Sequence, residues 1–122
     1  CLYIMAIHPS AEIIFLDDKP ATPTITLAGR TFQVTSDWSA ARGALFTVGV
    51  GIPRTKEILV KKALAAGLKP APTLVHPMAT VPDPHLGVGG IICPGVVITA
   101  HVTLGDYVVI NCNSVIGHDS II

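Results

Sequence analysis

Aliphatic residues occur at every sixth position along the last third of the 122-residue chain. Helices repeat about every 3.6 residues and strands alternate, so neither regular element produces an interval of six. A period of six is typical of a solenoid of short parallel strands, in which each unit turns one aliphatic side chain inward. The sequence therefore predicts a parallel β-helix. The series is Leu86, Ile92, Ile98, Leu104, Ile110, Ile116 and Ile122.

Two further patterns support the same fold. Val75 and Val81 are also six apart, whereas Val81 and Leu86 are only five apart. We therefore expect the repeat to begin near Leu74, with one residue missing at a corner of its first coil. The fifth place of each later unit is small or β-branched, and its residues are Gly90, Val96, Val102, Val108, Ser114 and Ser120.

Composition restricts the class of protein. Half of the residues are apolar, 13% are charged, and the mean hydropathy is +0.62. No apolar run approaches the roughly 20 residues needed to cross a bilayer, and the aliphatic interior of a β-helix accounts for the excess. The formal net charge is zero, so nothing indicates nucleic acid or an anionic membrane as a partner.

The three cysteines do not form a paired framework. Their number is odd, and Cys93 and Cys112 hold different places in their six-residue units, so simple stacking would not align them for a bridge. No secretion signal is recognisable at the beginning of the sequence. We expect reduced thiols and a cytoplasmic location.

The first part of the chain has the pattern of an α/β unit. Continuous apolar runs over residues 12–18 and 44–50 predict buried strands. Residues 25–34 predict a short hairpin that turns at Ala28-Gly29.

A helix is predicted to begin near Pro53, because proline suits the first helical turn, and to end before Gly67. A strand, a helix and a further strand are the elements of a nucleotide-binding-like unit. We therefore predict a partial Rossmann-like α/β domain over residues 1–72, followed by a β-helix domain over residues 73–122.

His118 is the strongest candidate for a catalytic residue. It occupies the third place of the unit IGHDSI, outside the buried position of Ile116. Acyl transfer from a thioester to an amine or hydroxyl needs a base, and a neutral imidazole suits that role near pH 7. Asp119 can contact the imidazole only if the chain bends there, since adjacent strand residues point to opposite faces. A surface histidine beside a solvated turn acid is the alternative interpretation.

Asp17 and Asp18 end the first predicted strand. Ligands of open α/β sheets bind at the carboxyl ends of strands, and a carboxylate there can accept hydrogen bonds from ribose hydroxyls or a uracil N–H. An ordinary aspartate turn before Pro20 is the alternative interpretation.

Four features together resemble one family. They are LDD at a strand end (residues 16–18), a VG-containing strand, an HP-x-A entry (residues 76–79) and the stretch N-x-x-S-V-I-G-H-D over residues 111–119. The combination resembles the sialic-acid O-acetyltransferase (NeuD-like) family and its relatives, the bacterial UDP-amino-sugar N-acetyltransferases. The resemblance implies a left-handed β-helix, acetyl-CoA as the acyl donor, a sugar or nucleotide-sugar acceptor, and a homotrimer with active sites between subunits.

The same resemblance implies roles for single residues. His118 matches the family's general base, Asp119 the acidic residue that assists it, and Asn111 an asparagine near the site. The family's nucleotide-sugar contacts match Asp17, Asp18 and Gly49. The three site residues of the β-helix are therefore expected to act in catalysis and the other three in substrate binding.

The sequence departs from the family at both ends. Residues 1–11 contain no glycine, so the family's G-x-x-G-H-G turn, which would hold nucleotide phosphates on backbone N–H groups, has no counterpart. Ile122 begins a further repeat, and natural solenoids cap such an end. We therefore expect a fragment that lacks part of both ligand sites.

Two other functions stay open. A truncated trimeric β-helix could be a non-catalytic scaffold. Some β-helices are zinc carbonic anhydrases, but their pair of histidines five apart is missing here, and His101 and His118 are one position short of a full coil apart. We expect no metal, and interpret His76, His85 and His101 as surface or turn residues. The sequence leaves O- and N-acetylation equally open.

Overall fold

The computed structural model describes residues 2–82 and 84–122. The N-terminal part contains helices α1 (Leu2–Ile7) and α2 (Pro53–Ala65), a short 3-10 helix (Trp38–Ala41), and strands β1 (Ile14–Leu16), β2 (Thr24–Leu27), β3 (Arg30–Thr35), β4 (Leu45–Phe46) and β5 (Lys69–Pro70). The remainder contains strands β6 (Leu74–Val75), β7 (Pro84–Leu86), β8 (Ile91–Ile92), β9 (Val97–Ile98), β10 (Val102–Leu104), β11 (Val109–Ile110) and β12 (Val115–Ile116).

Strands β6 to β12 form the predicted parallel β-helix. They pair in three separate parallel sheets, with the orders β6-β8-β11, β7-β10 and β9-β12. Partners in neighbouring coils are three six-residue units apart, as in the pairs Val102 with Pro84 and Val115 with Val97. Each coil therefore consists of three units and contributes one short strand to each of three faces, and the period of six is one face of a coil.

The two sequence columns line the interior. Ile92 and Ile98, from the first place of their units, are 1% exposed, and Val96 and Val102, from the fifth, are 0% exposed. Burial of such side chains supplies about 1.5–3 kcal/mol each, and here they form one continuous stack.

The cysteines of the β-helix lie in different surroundings. Cys93 is a buried thiol in the core of the solenoid, whereas Cys112 is exposed. Their reduced state stays a prediction from the sequence. The prediction for Cys1 lies outside the described residues.

The first coil is one residue short, as predicted. Leu74 pairs with Ile91 and Thr80 with Val97, and in both pairs the separation is one position less than three units. From Pro84 onward the separation is three full units. The missing residue therefore lies between residues 80 and 84, at the corner that the spacing of Val81 and Leu86 indicated.

Left-handed backbone conformation recurs at the corners from Gly89 onward. Positive φ angles occur at every sixth residue, and these residues are Gly89 (68°), Gly95 (71°), His101 (57°), Tyr107 (60°), Asn113 (58°) and Asp119 (62°). They occupy the fourth place of each unit, just before the fifth-place column. Such φ values are unfavourable for residues other than glycine, and asparagine, aspartate and histidine tolerate them better than most. The corner geometry therefore places one left-handed residue in each unit from Gly89 to Asp119, and this is unfavourable where the residue is not glycine.

The described N-terminal strands do not show the partial Rossmann-like domain that the sequence predicted. They form two sheets, β1-β3-β2 and β4-β5, within the described part of the chain. The strand predicted over residues 44–50 is only Leu45–Phe46, because after Pro70 the partner strand turns away and the carbonyl of Ala71 accepts from Gly89 of the β-helix. A parallel strand, helix and strand unit, β4-α2-β5, does form.

Other local predictions for this region are confirmed. The hairpin β2-β3 turns at Ala28 and Gly29, which both have positive φ, and this matches the twist of an antiparallel ribbon. The helix α2 begins at Pro53 and is followed by Gly67 with φ 85°. The strand predicted over residues 12–18 is shorter, since its partner β3 ends at Thr35, whose carbonyl accepts the last bond from the N–H of Asp17.

Tyr107 joins the N-terminal unit to the β-helix. Its ring stacks on Phe46 with centroids 6.0 Å apart, and its carbonyl accepts a hydrogen bond from Lys56 Nζ at 3.0 Å. Burial, and then the charge of Asp106, raise the pKa of the Tyr107 phenol. Thr47 Oγ1 donates to the carbonyl of Gly89 at 2.9 Å beside it. The first corner of the solenoid is therefore part of the interface with β4 and α2.

Replacement of Gly89 by alanine tests the corner geometry. A Cβ at Gly89 would collide with the ring of Tyr107, and its φ is positive. We expect a loss of stability of about 1–2 kcal/mol for the left-handed backbone alone, and more from displacement of the ring. Gly51→Ala is the matched control, because a Cβ there meets nothing within 4 Å. Urea unfolding measures both variants, and an equal effect of the two would contradict the corner model.

Candidate active site

His118 and Asp119 lie together at an exposed corner of the β-helix. His118 Nδ1 is 2.7 Å from Asp119 Oδ2, and the two side chains are 79% and 70% exposed. The positive φ of Asp119 provides the bend that the sequence required for such a contact between adjacent residues. The structure therefore brings these two predicted residues together.

Backbone contacts hold this corner in place. Ser120 Oγ donates to the carbonyl of Gly117 at 2.8 Å and closes the turn. The N–H of Asp119 donates to the carbonyl of Ala100, one coil earlier, at 3.1 Å. A Cβ added at Gly117 would meet no atom within 4 Å, so the space beside the pair is open. A ligand can reach the imidazole without displacing other side chains of the corner.

The contact determines which imidazole nitrogen can act as a base. An ionised carboxylate only accepts hydrogen bonds, so Nδ1 of His118 must donate to Asp119. In the neutral ring the lone pair then lies on Nε2, which is the nitrogen away from the carboxylate. The orientation of a histidine by a second polar group is a common device of acid–base sites.

Asn111 lies at the preceding corner, at the other end of β12. Its carbonyl accepts from the N–H of Ser114 at 3.3 Å, and its side chain is exposed. The neighbouring Asn113 carries the positive φ there, and its N–H bonds the carbonyl of Pro94. Asn111 is therefore in the same coil as His118 but not at the same edge of the solenoid.

Asp17 and Asp18 lie at the carboxyl end of β1, as predicted, and both already have partners. Asp17 Oδ1 accepts from the N–H of Lys19 at 2.9 Å, which is an aspartate turn. Asp18 Oδ1 accepts from Trp38 Nε1 at 2.9 Å and from Lys62 Nζ of α2.

Asp18 is the centre of a small charged cluster on the N-terminal unit. The hydrogen bond from Lys62, and then that from Trp38, lower the pKa of the Asp18 carboxyl below its ordinary value of 3.8. The Lys62 ammonium also lies 4.9 Å from the centre of the Trp38 ring. The contacts join the end of β1, the 3-10 helix and α2, and they identify a structural role for Asp18.

Gly49 lies just beyond β4, beside an apolar cleft of 940 Å³. The cleft separates the two N-terminal sheets, and Leu16, Phe46 and Val48 are among its other lining residues. Neither Asp17 nor Asp18 is in that lining. The structure therefore does not place the three predicted substrate-binding residues around one cavity.

One residue beside this corner was interpreted from the sequence only as a surface or turn histidine. His101 precedes Asp119 by three units, so it occupies the same edge one coil earlier, and it has the same positive φ. The sequence comparison of His101 with His118 does not reveal this alignment, because the two histidines occupy different places in their units. His101 and Asp119 both occupy the fourth place, and that shared place is the signal in the sequence.

The described residues contain neither a candidate metal-binding group nor a candidate membrane-spanning helix. No group of three or more histidine, cysteine, aspartate or glutamate residues that could hold a metal ion occurs in residues 2–82 and 84–122. In the same residues, no helix combines the length and apolar character that a membrane crossing needs.

Comparison with known proteins gives matches among solved structures. The acetyltransferase domain of PglB from Neisseria gonorrhoeae, in complex with acetyl coenzyme A, is 27% identical with a TM-score of 0.81. That match covers 98% of this chain and 58% of the other. No protein-family model matches the sequence, and no curated protein matches it.

Two further matches come from Caulobacter crescentus. PerB in complex with CoA and GDP-perosamine is 27% identical with a TM-score of 0.70, over 83% of this chain and 50% of the other. A perosamine N-acetyltransferase variant with asparagine in place of one histidine is also bound to CoA and GDP-perosamine. It is 27% identical with a TM-score of 0.71, over the same shares of the two chains. The chain thus spans between half and three fifths of these acetyltransferase structures.

Replacement of Asp18 by asparagine tests the charged cluster. A carboxyl whose pKa is lowered by folding stabilises the folded state at pH values above its ordinary pKa. This stabilisation is lost as the pH falls through the lowered pKa of the folded state. We therefore expect Asp18→Asn to lower the free energy of unfolding at pH 7, with a smaller difference from wild type at pH 3. Asp17→Asn is the control, since its amide oxygen can still accept from Lys19. Urea unfolding at both pH values measures the two variants. Equal effects of the two would contradict a stabilising role for the charged cluster.

Proposed function

We propose that this chain belongs to an acetyl-CoA-dependent acetyltransferase that acylates an amino or hydroxyl group of a nucleotide-linked sugar. The observation that carries the proposal is the His118–Asp119 contact at an exposed corner of a parallel β-helix. Acetyltransferase structures bound to acetyl-CoA or CoA match most of the chain, which supports a shared chemistry.

His118 acts as the general base in the proposed reaction. Nε2 removes the proton from the acceptor amine or hydroxyl as that group attacks the thioester carbonyl. Asp119 keeps Nδ1 protonated and offsets the charge of the imidazolium that forms. The tetrahedral intermediate then releases the coenzyme A thiolate, and the imidazolium returns the proton to its sulfur. Atoms and charge balance without a covalent enzyme intermediate.

The remaining groups position the substrates. A backbone N–H stabilises the developing oxyanion on the thioester oxygen. Asn111, at the adjacent edge, has the catalytic role that the family resemblance implies. The proposed contacts of the acceptor's nucleotide are Asp17 and Asp18 at the carboxyl end of β1 and Gly49 beyond β4. Because these residues do not line one cavity, the nucleotide would have to extend between the two strand ends. The Asp17 carboxylate has further acceptor sites beside the one that Lys19 uses.

The proposed assembly is a homotrimer of left-handed β-helices with active sites between subunits, as the family resemblance implies. The exposure of the pair supports this, because a base this open to water needs a second surface to exclude solvent during the reaction. The apolar side chains of Val97 and Val115 are exposed on the sheet β9-β12 that leads to the same corner. A neighbouring subunit would cover them.

Replacement of His118 by alanine is the direct test of the base. In the full-length protein that carries this sequence, we expect kcat to fall by roughly 10²–10⁴-fold, the usual contribution of general base catalysis. The KM for acetyl-CoA should change little, since the imidazole acts on the acceptor. Steady-state kinetics with a nucleotide amino sugar measure both constants.

His85→Ala is the matched control for this experiment. His85 is an exposed histidine of β7, two coils before the His118–Asp119 corner, and its replacement should leave turnover unchanged. Normal acetyl transfer by His118→Ala would rule out the base assignment. An equal loss in both variants would indicate a general effect on folding.

Binding of acetyl-CoA separates an enzyme from a scaffold. In the same full-length protein, we expect saturable binding by isothermal titration calorimetry at ligand concentrations up to ~1 mM, the upper range of usual KM values. His118→Ala should bind with similar affinity, because the imidazole acts on the acceptor. A protein that shows no binding at this concentration would be the non-catalytic β-helix instead.

A further inference from the structure

The side chains at two of the three corners fold back over the coil before them. A Cβ added at Gly89 would clash with the ring of Tyr107, and a Cβ added at Gly95 would clash with Oδ1 of Asn113. In each case a glycine and a side chain from the next coil share the same edge. The later side chain therefore lies in the space that the glycine leaves empty.

The third corner breaks this pattern. The residue one coil before Asp119 is His101, which has a Cβ, although its φ of 57° resembles those of Gly89 and Gly95. The N–H of Asp119 bonds the carbonyl of Ala100, so the alignment of the two coils is the same as at the other corners. Asp119 does not fold back here, and its carboxylate contacts His118 instead.

We propose that His101 is a positioning residue whose Cβ keeps the Asp119 carboxylate on His118. Neighbouring strands lie about 4.8 Å apart, so a Cβ at residue 101 fills the space used by the folded-back side chains at the other corners. Side chains occupy few staggered rotamers. With the folded-back rotamer excluded, Asp119 takes the one that reaches Nδ1.

The contacts of His101 support a role for its Cβ and not for its ring. The imidazole is exposed and makes no hydrogen bond or ion pair within residues 2–82 and 84–122. Two of the other corner side chains have visible partners: Tyr107 stacks on Phe46, and Asp119 bonds His118. A left-handed backbone with a side chain costs stability that glycine would avoid, so the residue is a candidate for function.

The first experiment reads the orientation of His118 directly. In protein labelled with ¹⁵N-histidine, at a pH where the imidazole is neutral, the nitrogen shifts of His118 report which ring nitrogen holds the proton. We expect Nδ1–H in wild type and in His101→Ala, which keeps the Cβ. We expect His101→Gly, which removes it, to shift the population to Nε2–H. This readout does not depend on acetyltransferase activity.

The second experiment measures turnover, and it rests on the proposed function. His101→Gly should lower kcat by roughly 10–100-fold, the usual effect of losing a group that orients a functional histidine, with an unchanged KM for acetyl-CoA. Its Tm should be equal or higher, because glycine relieves the left-handed backbone. His101→Ala should keep turnover near wild type despite its retained strain.

The outcomes separate the two proposals. A wild-type protein without acetyl transfer would overturn the function, while the tautomer comparison would still decide the role of His101. A His101→Gly protein that keeps Nδ1–H would overturn the inference, even in an active enzyme. Equal losses in His101→Ala and His101→Gly would also overturn it, since the imidazole would then be the important group.

Discussion

The alignment of each coil with the next, at a separation of three units, is the constraint on which the rest of the structure depends. Such short strands have no stability alone, and each obtains its hydrogen bonds from the coils before and after it. From Gly89 onward, the chain also places a left-handed residue at the same point of each unit. This placement determines which side chains emerge at the edges of the solenoid, and His118 and Asp119 are two of them.

The same constraint positions the N-terminal unit. The first corner is closed by Tyr107, which packs on Phe46, and Lys56 of α2 bonds the Tyr107 carbonyl. The linker also joins the coil directly, because Thr73 Oγ1 donates to the carbonyl of Gly87 at 2.6 Å and Gly89 bonds Ala71. The ends of β4 and α2 are therefore held on the first coil by side-chain and backbone contacts, and their position depends on a single edge of the β-helix.

The sequence predicted the solenoid well because its signal is periodic. The aliphatic column, the start near Leu74 and the missing corner residue all follow from spacing alone. The N-terminal sheets could not be predicted in the same way, since the length of β4 depends on where the chain after Pro70 bonds, which is a contact distant in sequence. The contact of Asp119 with His118 was left open for a similar reason: it depends on a backbone φ that the residue types permit but do not require.

The three corners show how one backbone geometry leads to either packing or chemistry. At two edges a glycine accommodates the side chain from the next coil, and that side chain then stabilises the stack. At the third edge a residue with a Cβ stands in the glycine's place, and the later carboxylate is available for an imidazole. The cost is one more left-handed residue with a side chain, at a position where glycine would be more stable. A polar pair at a solenoid corner therefore depends on the identity of the residue one coil earlier, which is its neighbour in space but distant in the sequence.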